Sequence, residues 1–156
     1  MSKAHTVSTT ASDPTVAAAA AQFLSPVVLG LQALTINGKQ AHWHVRGANF
    51  VGVHELLDTI VAHAGDFADT AAERIVALGL PIDARVSSVA AKGSSTSVPA
   101  GFTQSDELVR AVIADIDAIL IDTKAAIDGL DDIDLSSQDV AIEIARGLEK
   151  DRWFLF

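Results

Sequence analysis

Apolar residues along the chain fall into four helical stretches. From Pro14 to about Val45 the text is dense in Ala, Leu and Val, and Asp13-Pro14 reads as an N-cap with proline at the first helical position. Pro26 interrupts this stretch, so the spacing predicts either a kink there or a true start at Ser25-Pro26. Arg46-Gly47-Ala48-Asn49 reads as a turn, with Asn49 capping a second helix. That helix has the clearest stripe. Val53, Leu57, Ile60, Ala64, Phe67, Ala71, Ile75 and Leu78 recur at three- and four-residue steps, and Gly79-Leu80-Pro81 ends it.

Residues 80–103 carry no sustained period and include a Gly/Ser/Thr-rich run from Lys92 to Ser97. Such a connection is too long for a helical hairpin but long enough to cross the full length of a bundle, with a short helix inside it. A third helix is predicted from about Gln104 to Gly129, with Leu108, Val112, Ile116, Ile119, Thr123, Ile127 and Leu130 facing inward. Asp131, Asp132 and Asp134 form an acidic turn, and Ser136 is the expected cap of a fourth helix that runs to the end. No segment alternates as a strand would. The pattern therefore predicts an all-α four-helix bundle over 13–156 with one long crossover, preceded by a flexible tail at 1–12.

The chain has 156 residues, enough for one domain with its own core. It has no cysteine, which removes disulfides, thiolate metal sites and cysteine catalysis together. A formal net charge of −9 repels a polyanion and attracts small cations. No targeting segment stands out, and no run approaches the ~18–20 apolar residues of a membrane span. A cytoplasmic protein without membrane contact is expected.

A second stripe lies beside the apolar one on the second helix. His54 and Asp58, then Asp69 and Glu73, form two pairs spaced by four, and side chains four apart share one face. Acids alone belong on a solvated face. A histidine in register, with His42 upstream, makes a ligand set for iron, manganese or zinc. Asp58 and Asp69 are 11 residues apart, which is ~16.5 Å of rise and only ~20° of rotation. The two pairs face one way but lie too far apart to share one metal, or two metals ~4 Å apart. An antiparallel copy of the same helix closes the gap. The midpoint of positions 54 and 73 is 63.5, and so is that of 58 and 69. A two-fold axis between His63 and Ala64 sets each His/Asp pair opposite the other chain's Asp/Glu pair, giving two equal sites per dimer. Ala62, Ala64 and Gly65 are the expected close approach, and His63 an interface residue. No Glu-x-x-His pair, His-Glu-x-x-His run or Gly-x-Ser-x-Gly is present.

The residues Lys39-Gln40-Ala41-His42-Trp43-His44-Val45-Arg46-Gly47-Ala48-Asn49-Phe50, then Val53-His54-Glu55-Leu56-Leu57-Asp58, then Asp69 to Glu73-Arg74, resemble the Dps family of mini-ferritins from about residue 15 onward. The resemblance implies a ferritin-like bundle assembled as a hollow homo-dodecamer built from two-fold dimers. It implies a two-iron ferroxidase centre at each dimer interface, with His42, His54 and Asp58 from one subunit and Asp69 and Glu73 from its neighbour. Iron(II) oxidation by hydrogen peroxide or oxygen, ferric mineral storage and protection against oxidative damage follow from it, with zinc or manganese as substitute metals. Trp43 is then a candidate radical trap, or else a core or interface anchor, and Trp153 an ordinary anchor. His44 stands where the family commonly has Asn and reads as polar packing.

Asp131, Asp134 and Asp139 lie where the family builds an acidic iron-entry pore. A solvated turn and helix start is the other reading of the same acids. Residues 1–15 offer only Lys3 as a lysine, so strong direct DNA binding is not expected. Two alternatives stay open: a metal-dependent amide or ester hydrolase on the same scaffold, and a nucleoid-associated protein that shields DNA.

Overall fold

Helix α1 runs unbroken from Pro14 to His44, so Pro26 neither starts it nor ends it. The Asp13 carboxylate accepts from the Thr15 N–H at 2.7 Å, and Pro14 occupies the first helical position, where no donor is needed. The chain is described over residues 13–93 and 95–156 by a computed structural model, so the expected tail at 1–12 lies outside the described residues. After α1 come β1 (Val45–Arg46), α2 (Phe50–Ala77), α3 (Val86–Gly93), β2 (Thr103–Gln104), α4 (Ser105–Leu130) and α5 (Leu135–Leu155).

The four long helices pack α1 on α2 and α4, with α5 closing against α4 and α2. Leu24, Leu31 and Leu34 of α1 meet Leu57, Ile60 and Ile75 of α2, Leu108, Ile116 and Leu130 of α4, and Ile144 and Leu148 of α5 in one buried core. Each supplies about 1.5–3 kcal/mol of burial, which is what holds helices of modest intrinsic propensity together. By length and mean hydropathy (1.5) α1 could cross a membrane, yet its most apolar residues are those that fill this core.

The α2 stripe follows the expected spacing, with one exchange. Ala68 is buried and Phe67 only half-buried, because Phe67 lies over Gly147 of α5, where a Cβ would come within 2.2 Å of its ring. The expected cap of α5 is also displaced. Asp134, not Ser136, is the N-cap, accepting from the Ser137 N–H at 3.2 Å.

Two strands of two residues each escaped the sequence pattern. They pair in parallel, Val45 with Thr103 and Arg46 with Gln104. This clip fixes the start of α4 beside the end of α1 and the start of α2. Helices α2 and α4 therefore run parallel, and residues 78–104 return along the whole bundle, with α3 seated on α1 on the way. A two-residue ladder has no periodicity to detect.

Candidate metal centre

Helices α1 and α2 run antiparallel, and their shared end builds the site. His42, only 7% exposed, sits in the last turn of α1, and His54 lies in the second turn of α2. Each ring donates its Nδ1–H to the other residue's backbone carbonyl, His42 to His54 at 2.8 Å and His54 to His42 at 2.9 Å. A carbonyl only accepts, so both Nδ1 atoms carry a proton, and in the neutral rings the lone pairs stand on the Nε2 atoms. The rings are stacked, with centroids 3.6 Å apart and planes 20° from parallel. Backbone geometry thus fixes the tautomer of two imidazoles at once, as is common for metal-binding histidines.

Asp58 stands one turn further along α2, its Oδ1 3.6 Å from His42 Nδ1, with its side chain 52% exposed. The ammonium of Lys39, one turn before His42 on α1, donates to the same oxygen. That bond, with the nearby histidines adding to it, holds the Asp58 carboxyl below its ordinary range despite slight desolvation. Lys39 had no assigned role in the sequence. Its place three residues before His42 on one helix face was the signal that could have found it.

Asp69 and Glu73 are exposed on the same side of α2, about three to four turns beyond Asp58. The chain does not bring them to the histidines. Among the described residues no three histidine or acidic side chains converge closely enough to hold a metal ion. Ala62 is exposed on this face, but Ala64 is buried in its own bundle and so is not part of any close approach between copies. His63 is held within its own subunit, with its side chain still 41% exposed. Its Nδ1 lies 2.9 and 3.1 Å from the two oxygens of Asp151, a carboxylate of α5 that is 1% exposed and whose pKa burial pushes up against the pull of His63.

A hollow of about 450 Å³ opens beside the two histidines, lined by His42, His54, Trp43, Phe50, Arg46, Val45 and Gly47. Gly47 has φ +112°, and a Cβ there would meet the Gln104 side chain at 2.7 Å, so the turn out of α1 needs glycine. Trp43 is 63% exposed and Trp153 70% exposed, so neither anchors the core of the subunit. His44 bonds the Gln40 carbonyl at 2.8 Å within its own helix and leans on Phe102, which is polar packing.

At the far end of the bundle, Asp131 and Asp139 are exposed, and Asp131 accepts from Gln138 at 3.2 Å. Asp134 takes the Arg74 guanidinium at 2.7 Å besides capping α5. Burial raises its pKa, but the Ser137 hydroxyl, Arg74 and the Ser137 N–H outweigh this and hold it low.

Residues 30–155 match the Ferritin family, a ferritin-like domain. The DNA protection during starvation protein of Agrobacterium fabrum is 32% identical over 123 residues, covering 78% of this chain and 76% of that protein. Its counterpart from Mycolicibacterium smegmatis is 36% identical over 126 residues, 75% of this chain but only 64% of that longer protein. Among solved structures, the Dps of Microbacterium arborescens in its high iron form is 70% identical with a TM-score of 0.91, covering 94% of this chain and 95% of that one. A tetragonal form of Mycobacterium smegmatis Dps is 30% identical with a TM-score of 0.86, over 93% and 89% of the two chains. Bundle, crossover and matches agree on one class, the ferritin-like proteins. Within it, the chain belongs to the Dps family.

Proposed function

We propose that this protein oxidises iron(II) with hydrogen peroxide or oxygen at a centre shared by two subunits and stores the ferric product as mineral within a shell of twelve. One subunit gives His42, His54 and Asp58, and the second gives Asp69 and Glu73. The observation that carries the reading is the half-site: two imidazoles and an adjacent carboxylate at one end of α2, while among the described residues no set of three such side chains converges closely enough to hold a metal ion alone.

The exposed face of α2 supports self-pairing beyond the ligands. Val51 and Val76, 54% and 57% exposed, share the midpoint 63.5 with both ligand pairs, and so do Ala62 and Gly65. An antiparallel pair would then set valine against valine at both ends and the two small residues across the axis. Such a repeat of one surface on itself is what an isologous dimer requires.

The donor set suits iron as substrate. Imidazole nitrogens hold iron(II), hard carboxylates favour iron(III), and few protein ligands leave room for an oxidant. Zinc or manganese could occupy the same donors. Trp43, exposed beside His42, is well placed to give up an electron to a stray radical. Asp131 and Asp139 would form an entry path for cations with Asp134 at its base. Protection of DNA would then be chemical, through removal of iron and peroxide in the cytoplasm, because a net charge of −9 per chain opposes direct contact with a polyanion.

Anaerobic loading with iron(II) followed by peroxide tests the reading. Ferric absorbance and an iron-filled shell of twelve by native mass are expected, and a His42→Ala/Asp58→Ala double variant that oxidises iron at the wild-type rate would refute it.

A further inference from the structure

Among the described residues, Arg46 is the one lysine or arginine that lines the hollow beside His42 and His54, and the ligand set does not account for it. Its backbone belongs to the two-residue clip, paired with Gln104. Its guanidinium carbon lies over the Phe102 ring, 3.7 Å from the centroid. Among the described residues it makes no side-chain hydrogen bond and no ion pair; the ring is its only side-chain partner. Stacking fixes the plane of a guanidinium while leaving its N–H groups at the edge unused. An exposed arginine held this way beside the candidate centre has donors to give and, among the described residues, no acceptor that takes them.

We propose that Arg46 positions hydrogen peroxide in this hollow and makes the centre prefer peroxide over molecular oxygen. The inference rests on the iron-oxidation reading and deepens it by naming the residue that tells the two oxidants apart. In the reaction two iron(II) ions each lose one electron, the O–O bond breaks, and both oxygens leave as water after taking two protons from solvent. Negative charge grows on the peroxide oxygens as that bond lengthens, and guanidinium N–H groups aimed there stabilise it. Molecular oxygen is a poor hydrogen-bond acceptor and gains far less from the same donors. Phe102, contributed by the end of the crossover, acts through Arg46 as its positioning residue.

The test compares initial rates of ferric absorbance with peroxide and with oxygen in wild type, Arg46→Met and Arg46→Lys, alongside anaerobic cobalt(II) titrations of all three. Arg46→Met should lower the peroxide-to-oxygen rate ratio at least about tenfold. Arg46→Lys should recover part of it, and cobalt(II) binding should stay within about twofold, because no metal ligand is removed. If Arg46 only secures the clip, both oxidants slow together. An unchanged ratio therefore overturns this assignment alone. Absence of peroxide-driven oxidation in the wild type overturns it together with the proposed function.

Discussion

His42 and His54 hold one another through reciprocal hydrogen bonds, each ring donating to the backbone carbonyl of the other residue at 2.8 and 2.9 Å. The two imidazoles are thus oriented before any metal arrives. Replacing His54 with alanine removes one proposed ligand and the stacked ring that steadies the other. Anaerobic cobalt(II) titration should show affinity reduced by at least about 100-fold, with far-UV circular dichroism unchanged. Retained affinity would place the metal elsewhere.

Lys39 competes for the ligand oxygen that a metal would take. The pair with Asp58 is half-exposed, so it is weak and a divalent ion displaces it readily. Lys39→Met should therefore tighten metal binding at pH 7 by about threefold to tenfold, an energy on the scale of one exposed ion pair. Isothermal titration with cobalt(II) measures this, and weaker binding would mean that the ammonium supports the site.

Much of this was legible in the sequence, for identifiable reasons. The α2 stripe, the crossover with its short helix, and the placing of His54, Asp58, Asp69 and Glu73 beside that stripe follow from periodicity, because a long amphipathic helix fixes every face at once. The midpoint relation required only helix geometry. What periodicity could not carry was contact between distant elements. Nothing local in the sequence marks Asp151 of α5 as facing His63 of α2. The Val45–Thr103 clip joins residues with the whole of α2 and nearly all of the crossover between them. Ser136 was a sound cap by type, but Asp134 had a second partner in Arg74 and won the position. Ala64 was counted twice, in the core stripe and at the crossing, and burial allows only the first.

Asp151 gives a pH dependence whose sign follows from its raised pKa. The folded state holds the proton to higher pH than the unfolded chain does. Stability from this group is thus fully present below the ordinary carboxylate range and lost as pH rises through the raised value. At pH 7 the wild type bears that cost. Asp151→Asn keeps an acceptor for His63 and removes the buried charge. Its melting temperature should exceed the wild type's by about 2 °C at pH 7, with the gain vanishing toward pH 4. A drop at pH 7 would show that the pairing with His63 outweighs burial.

Asp134 behaves oppositely. Its pKa is held low, so its contribution is present above the ordinary aspartate range and disappears as pH falls through the lowered value. Asp134→Ala removes the α5 cap and the Arg74 partner. Thermal melts at pH 7 should fall by about 2–6 °C, the usual cost of a lost N-cap at this chain length. A melt unchanged at pH 7 would contradict a capping role.

The division of the centre between two molecules is tested most directly by mixing crippled subunits. A His54→Ala chain retains the Asp69/Glu73 half, and a Glu73→Ala chain retains the His42/His54/Asp58 half. Each assembly alone should bind and oxidise almost no iron. Co-assembled in equal amounts, half the dimers are mixed and each restores one of its two sites, so about a quarter of wild-type metal sites and ferroxidase rate should return. A mixture as inactive as its two parents would contradict the shared centre.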